Sequence, residues 1–248
     1  MSTAPEFGPA RERPAGVSAR NARIFVVARV RNKKTWNVPT VYVGKSRAES
    51  LASCAGCPQL KKRNCYSQFG SPKLGHASAI KAREASGAFD IVAPILERHK
   101  RARFLRVSAI GDPARANQDQ LALALDVARG EGLAVVGYTH FAHEAPHLRG
   151  VLMASVDSFQ AAQDPSLTGW RKAIVAPFGT TGTIRDIRDG SIAAVECPAI
   201  AAERLGRRPF TCNDCASGKR GALCDASKPG PNVYFADHGP RKRRLPML

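Results

Sequence analysis

The sequence predicts an α/β protein: a full or partial parallel (β/α) barrel with a Cys-rich C-terminal metal-binding extension. Three observations predict it. Short β-branched apolar runs recur along the chain, separated by helical or loop segments. Several of these runs end in a polar side chain, as at Asp112, His140 and Asp157, where a barrel gathers its functional groups. No GxGxxG or GxxxxGK[ST] follows any run, which argues against a dinucleotide-binding or P-loop fold.

The elements follow in order. Residues 24–30 (IFVVARV) read as a strand, 32–36 as a polar turn and 38–43 (VPTVYV) as a second strand, together a hairpin or short sheet. A cysteine loop spans 53–65, and GSPKLG at 70–75 breaks the chain. Residues 76–99 carry apolar side chains at mostly helical spacing, with a break near Ser86-Gly87, so one or two helices fit. FLRVSAI at 104–110 reads as a buried strand ending at Gly111-Asp112-Pro113. QDQLALALDVAR at 118–129 is an amphipathic helix stopped by Gly130 and Gly132. Strands are then expected at 133–138, 151–156, 172–176 and 192–195, with a short helical turn at 159–163. Four segments result: a flexible lead-in at 1–23, the barrel at 24–195, a Cys-rich metal-binding region at 196–239 and a basic tail at 240–248 containing Arg241-Lys242-Arg243-Arg244.

Composition narrows the function classes. With 248 residues and 44% hydrophobic content a sizeable core can form, and 6% aromatics make it mainly aliphatic. The formal net charge of +18 favours a polyanionic partner, a nucleic acid or nucleotide-like substrate. No run approaches ~20 apolar residues, so no membrane span and no membrane partner are expected. The first residues lack the apolar core of a signal peptide, so the expected location is the cytoplasm. In that reducing compartment, seven clustered cysteines read as ligands rather than disulfides.

Cys54 and Cys57 are separated by two residues, and a chain reversing over Gly56 and Pro58 lets both sulfurs meet one ion. Cys65 follows after seven more residues, and Lys61, Lys62 and Arg63 would lower the thiol pKa values. Three thiolates suit a [4Fe–4S] cluster with one open iron. They equally suit zinc with a fourth ligand such as His76, His140 or His143. Cys197, then Cys212 and Cys215, then Cys224 form a four-thiolate set for zinc or a second [4Fe–4S] cluster, with a structural or electron-relay role.

Among the strand-end residues, Asp112 could bind an amine or ribose hydroxyls, or act as a base. His140, with His143 and His147 nearby, could be a ligand or an acid–base group. Asp157 is a catalytic candidate whose plain alternative is a helix N-cap. His238 is a further possible ligand.

The order of a strand, a cysteine loop ending in Cys65-Tyr66, a helix and a strand ending in Ile110-Gly111-Asp112-Pro113 resembles the radical-SAM superfamily. That resemblance implies a [4Fe–4S] cluster on Cys54, Cys57 and Cys65, and S-adenosylmethionine beside Gly111 and Asp112. The spacing departs from the superfamily's usual CxxxCxxC. The segments SCAGCPQLKKRNCY, RVSAIGDP, GYTH, ECPA, TCNDC and FADHG also resemble a phage- and plasmid-borne family of Cys-rich barrels, over about residues 53–239. A second likeness is to zinc-containing base-exchange enzymes of the tRNA-guanine transglycosylase type, in which Asp112 and Asp157 would be the carboxylates. Three functions stay open: a radical-SAM-like enzyme acting on nucleic acid or a modified base, a zinc-dependent base transglycosylase, and a non-catalytic nucleic-acid-binding protein with structural metals.

Overall fold

Nine strands hydrogen-bond side by side in a computed structural model of the chain, which describes residues 20–32, 36–61, 65, 77–81, 89–186, 190, 192–219 and 221–236. The basic tail, His76, His238 and most of the N-terminal lead-in lie outside the described residues, as do the side chains of Lys61, Lys62 and Arg63.

Two β-rich runs open the sheet. Strands β1 (Ile24–Asn32) and β2 (Trp36–Val43) form the expected antiparallel hairpin, with a register shift between Val27 and Val30. Helices α1 (Arg47–Ser53) and α2 (Pro58–Lys61) follow, then α3 (Ala93–Leu96). Strand β3 (Phe104–Val107), helix α4 (Gln118–Gly130) and strand β4 (Ala134–Thr139) make the first right-sized β–α–β unit. Asn117 caps α4 by accepting from the Gln120 N–H, and Asp119 lies in its positive first turn. Strands β5 (Met153–Val156) and β6 (Lys172–Ala176) follow, joined by short 3₁₀ turns in place of a helix. The chain ends its described course with β7 (Thr183–Arg185), β8 (Ile192–Glu196), α5 (Pro198–Arg204), α6 (Cys212–Ser217) and β9 (Asn232–Ala236).

The sheet order is β1-β2-β3-β4-β5-β6-β9-β8-β7. All neighbours from β2 to β8 run parallel, and only the hairpins β1–β2 and β7–β8 are antiparallel. The mixed α/β class is therefore as expected, but the closed barrel is not: among the described residues no ladder joins β1 to β7. Each edge of the sheet is a hairpin strand running against its neighbour, and this ends the sheet instead of continuing the parallel winding that closure needs.

The Cys-rich region also departs from expectation. It is the connection between β8 and β9, and β9 lies between β6 and β8, pairing Ala173 with Val233 on one side and Val195 with Val233 on the other. The cysteines are thus carried on a loop between two strands of the sheet, not on an appendage. NVYFA at 232–236 has the β-branched and aromatic content of a strand, and it fills a gap that only tertiary pairing defines.

Both faces of the sheet are covered, as a mainly parallel sheet requires. Leu105, Val107, Val135, Leu152 and Ala154 turn to the face packed by Leu121, Ala124, Leu125 and Ala128 of α4 and by Ile95 of α3. Phe104, Val136, Met153 and Val233 alternate to the other face, against Cys197, Ile200, Ala222 and partly buried Cys212 and Cys224. Gly137 lets β4 approach β3: a Cβ there would stand 2.7 Å from the Val107 Cβ. No helix among the described residues is long and apolar enough to cross a membrane.

Candidate functional site

Because β2 to β6, β8 and β9 are parallel, their C-terminal ends share one edge, and the first cysteine loop, Asp112, His140, Asp157 and Cys197 follow strand ends along it. Asn213, between Cys212 and Cys215, instead bonds Arg101 and Arg103 just before β3. The chain leaves β2 at Val43 and enters α1, whose first turn is capped by Ser46 accepting from the Glu49 N–H. The buried Ser50 hydroxyl donates to the Val43 carbonyl at 2.6 Å and fixes the helix on the strand end. Helix α1 stops at Cys54, and the Cys57 N–H donates to the Cys54 carbonyl at 3.0 Å, closing a tight turn over Gly56. The backbone N–H groups of Gln59 and Leu60 at the start of α2 favour the negative form of the Cys57 sulfur.

Cys54 sits within electrostatic reach of Cys57, Cys65 and Asp112. Burial pushes its thiol well above the ordinary range, and the neighbouring negative charges of Asp112, Cys57 and Cys65 push it further. Burial likewise raises Cys57, while those two N–H groups oppose that. Cys54 thus feels the charges of Cys57, Cys65 and Asp112 at the end of β2. A cation beside this group is Arg115, which the spacing of the cysteines does not point to. Its guanidinium donates to the Ser53 and Ala55 carbonyls and grips Glu144 at 3.0 and 2.7 Å. It also lies 3.5 Å above the Phe141 ring centroid. The Pro113–Arg115 turn after Asp112 is what aims it back at the cysteine loop.

Gly111 has φ +82°, and a Cβ there would meet the Val43 carbonyl at 2.5 Å, so only glycine fits beside β2. Asp112 follows, 3% exposed. Its backbone N–H donates to the Ser53 hydroxyl at 3.1 Å. Its carboxylate accepts from the Thr139 hydroxyl at 2.6 Å, the His140 N–H at 2.9 Å and the Ala114 N–H at 3.0 Å. Burial raises its pKa, and these donors and the nearby His140 pull the other way. Asp112 thus ties α1, β3 and β4 together beside the thiols.

His140 stands directly after β4. Its Nε2 is 3.1 Å from the Ser155 hydroxyl, and its Nδ1 is 3.9 Å from Asp112 Oδ2. His143 and His147 diverge from it: His143 is beside Glu144, and His147 Nε2 meets Gln118 Oε1 at 2.8 Å. Asp157, directly after β5, accepts from Gln59 Nε2 at 2.7 Å, so α2 of the cysteine loop is tied across to β5.

The second thiol group lies on the other covered face. Cys197 caps α5, and its N–H donates to the Tyr234 carbonyl at 3.0 Å. Cys212 and Cys215 stand one turn apart on α6, whose start is fixed by a capping box between Thr211 and Asp214. Burial raises the Cys224 thiol well above its ordinary range, and Cys197, Cys212 and Cys215 raise it further; the Tyr138 hydroxyl beside it favours the negative form and opposes the rise. Arg171 shapes the loop behind Cys224 by donating to the carbonyls of Leu223, Asp225 and Pro231 at 2.6–2.7 Å. Tyr138, Arg171, Gln59 and Ser155 carry no motif, and only strand register and loop packing bring them to these sites.

All seven cysteines are free thiols. Among the described residues no group of three or more His, Cys, Asp or Glu side chains is placed so that it could hold a metal ion. Sulfur is a donor that soft cations accept, and a bound cation would draw the proton from thiols that burial otherwise keeps neutral. Comparisons with protein-family models, with curated proteins and with solved structures found no match to this chain.

Proposed function

We propose that the protein is an iron–sulfur metalloenzyme of radical-SAM-like type that acts on nucleic acid or on a nucleotide or modified base. One observation supports the reading: Cys54, after the end of β2, feels the charges of Cys57, Cys65 and Asp112, and the Gln59 and Leu60 N–H groups favour the Cys57 thiolate. N–H groups of this kind favour the thiolate and so oppose the rise that burial causes, and a bound metal would complete that effect.

In this reading Cys54, Cys57 and Cys65 hold a [4Fe–4S] centre, and such a centre supplies one-electron reduction when bound. The chain's own residues do the rest. Arg115 fixes the Ser53 and Ala55 carbonyls and so sets the cysteine turn. Gly111 allows the segment after β3 to pass close to β2, and Gly111 and Asp112 form the wall on which S-adenosylmethionine would rest. His140, partly exposed, is the acid–base group at that wall. The four thiols around Cys224 hold a second centre, [4Fe–4S] or zinc, that fixes the β8–β9 connection. The charge of +18 supports a polyanionic substrate.

Anaerobic purification tests the reading: a brown protein with absorbance near 400 nm, about four irons per cluster and matching labile sulfide is expected. A colourless protein holding only zinc removes it. That outcome favours zinc-dependent base exchange, with Asp112 and Asp157 as the carboxylates. The four thiols around Cys224 form a donor set that zinc accepts as readily as iron. Base exchange would then be lost in Asp157→Asn. If that variant kept full function, the non-catalytic binding protein with structural metals would remain.

A further inference from the structure

Register, not motif, places one more reactive group on the site edge. Strands β4 and β5 are parallel, with Tyr138 beside Met153 and Thr139 beside Ala154. The next step of that register sets His140 beside Ser155. The side chains meet there, Ser155 Oγ to His140 Nε2 at 3.1 Å. Behind the ring, Asp112 Oδ2 stands 3.9 Å from Nδ1 and accepts the His140 backbone N–H at 2.9 Å. Asp112 cannot swing away, because Thr139 and Ala114 donate to its other oxygen. A hydroxyl, an imidazole and a buried carboxylate are thus aligned, drawn from β5, the end of β4 and the turn after β3. The distance at Nδ1 is longer than a hydrogen bond, as often holds before substrate binds and such arrays tighten. The serine is half-buried and the imidazole is 25% exposed, so both can be reached. Asp157, directly after β5 and two residues beyond Ser155, accepts from the Gln59 amide at 2.7 Å.

We propose that Ser155 is a nucleophile activated by His140 and oriented through Asp112, and that it gives the protein an ester-hydrolysing activity. Ser155 Oγ bonds to the carbonyl carbon while its proton passes to His140 Nε2. The carbon–oxygen bond to the leaving group breaks, and that oxygen takes the proton from His140. Water, deprotonated by the same imidazole, then releases the acid and restores Ser155. Nothing but ester and water is consumed. The activity is independent of whatever the thiol groups hold.

A fluorophosphonate probe on the full-length protein as purified tests this. The expected product is a phosphonylated Ser155, formed as Oγ–P replaces P–F, and located by peptide mass mapping. Ser155→Ala should abolish the adduct, and p-nitrophenyl acetate hydrolysis should be lost with it. His140→Gln should slow labelling by about 10²-fold or more, the usual share of a general base. Circular dichroism and the thermal midpoint establish that each variant is folded. Absence of an adduct at Ser155 in the folded protein, an adduct only elsewhere, or equal labelling in His140→Gln overturns the proposal. A metal-free preparation that still labels at Ser155 leaves this inference standing and removes the functional reading above. Iron and sulfide without labelling does the reverse.

Discussion

The Tyr138 hydroxyl stands beside the Cys224 thiol and favours its negative form, while Thr139, the next residue on β4, donates in the opposite direction to Asp112. One strand therefore touches both thiol neighbourhoods, because alternate side chains leave it on opposite faces. Tyr138→Phe removes a single oxygen from the second group. If a metal occupies that group, its transfer to a chelator should be about 10-fold faster in the variant, in line with outer-shell hydrogen bonds to metal ligands. Metal per chain against time after chelator addition measures it, and an unchanged rate would place Tyr138 outside the ligand shell.

Arg115 holds two carbonyls of the cysteine turn, a carboxylate and an aromatic ring, with its side chain only 12% exposed. Arg115→Ala leaves Glu144 and those carbonyls short of a donor. A loss of about 2–4 kcal/mol is expected in urea unfolding, near the range for breaking a largely buried charge pair. Glu144→Gln should cost less, since the carbonyl contacts and the Phe141 stacking survive.

Acid should weaken the same clamp. The Arg115 guanidinium holds Glu144 below the ordinary carboxyl value of 4.5, and Arg204 does the same to Glu196. A carboxyl lowered in the folded state binds protons more tightly when unfolded. Its stabilising effect is therefore full above the unfolded value and is lost as pH falls through the lower, folded one. Thermal midpoints between pH 6 and pH 3 should fall less steeply in Glu144→Gln than in the parent chain.

Asp112 accepts from three donors, and asparagine offers one acceptor oxygen and an NH₂ group that faces donors. Asp112→Asn should destabilise the fold by about 1–3 kcal/mol in urea unfolding, the cost of a buried donor left unmatched. An effect near zero would show that the site relaxes round the amide.

Nucleic-acid binding, if it follows the charge of +18, must depend on salt. Affinity for single-stranded DNA should fall steeply between 50 and 200 mM salt, and removing residues 241–248 should flatten the log–log slope by up to about 3. A salt-independent affinity would remove the electrostatic argument for the partner.

Local pattern reached the strands well and their order poorly. KAIVA at 172–176 is the observed β6, and the Gln118 helix runs one residue longer than read, because strong periodicity and a stopping glycine act within a few residues. NVYFA was concealed by its setting of Pro229, Gly230 and Pro231, and its central place depends on partners far back in the chain. Closure was misjudged for the same reason: antiparallel edges are a property of pairing, not of any one segment. At the site, cysteine spacing singled out the thiols whose charges influence one another, Cys54 with Cys57 and Cys65 and Cys224 with Cys197, Cys212 and Cys215. Ser155 carried no such sign, since its relation to His140 exists only once β4 and β5 are in register. The lysine-rich run after Cys57 suggested the charge partner for the thiols, whereas a cation described beside them is Arg115, brought back by a three-residue turn.

The late insertion of β9 between β6 and β8 sets an order of assembly. Until residues 232–236 have left the ribosome, the β7–β8 hairpin and Cys197 have no ladder to the rest of the sheet. Its docking joins residues separated by more than fifty positions, a long-range closure that slows folding. The segment that carries Cys212, Cys215 and Cys224 is therefore fastened at both ends only once β9 has docked, and any metal loaded there would have to wait for that strand.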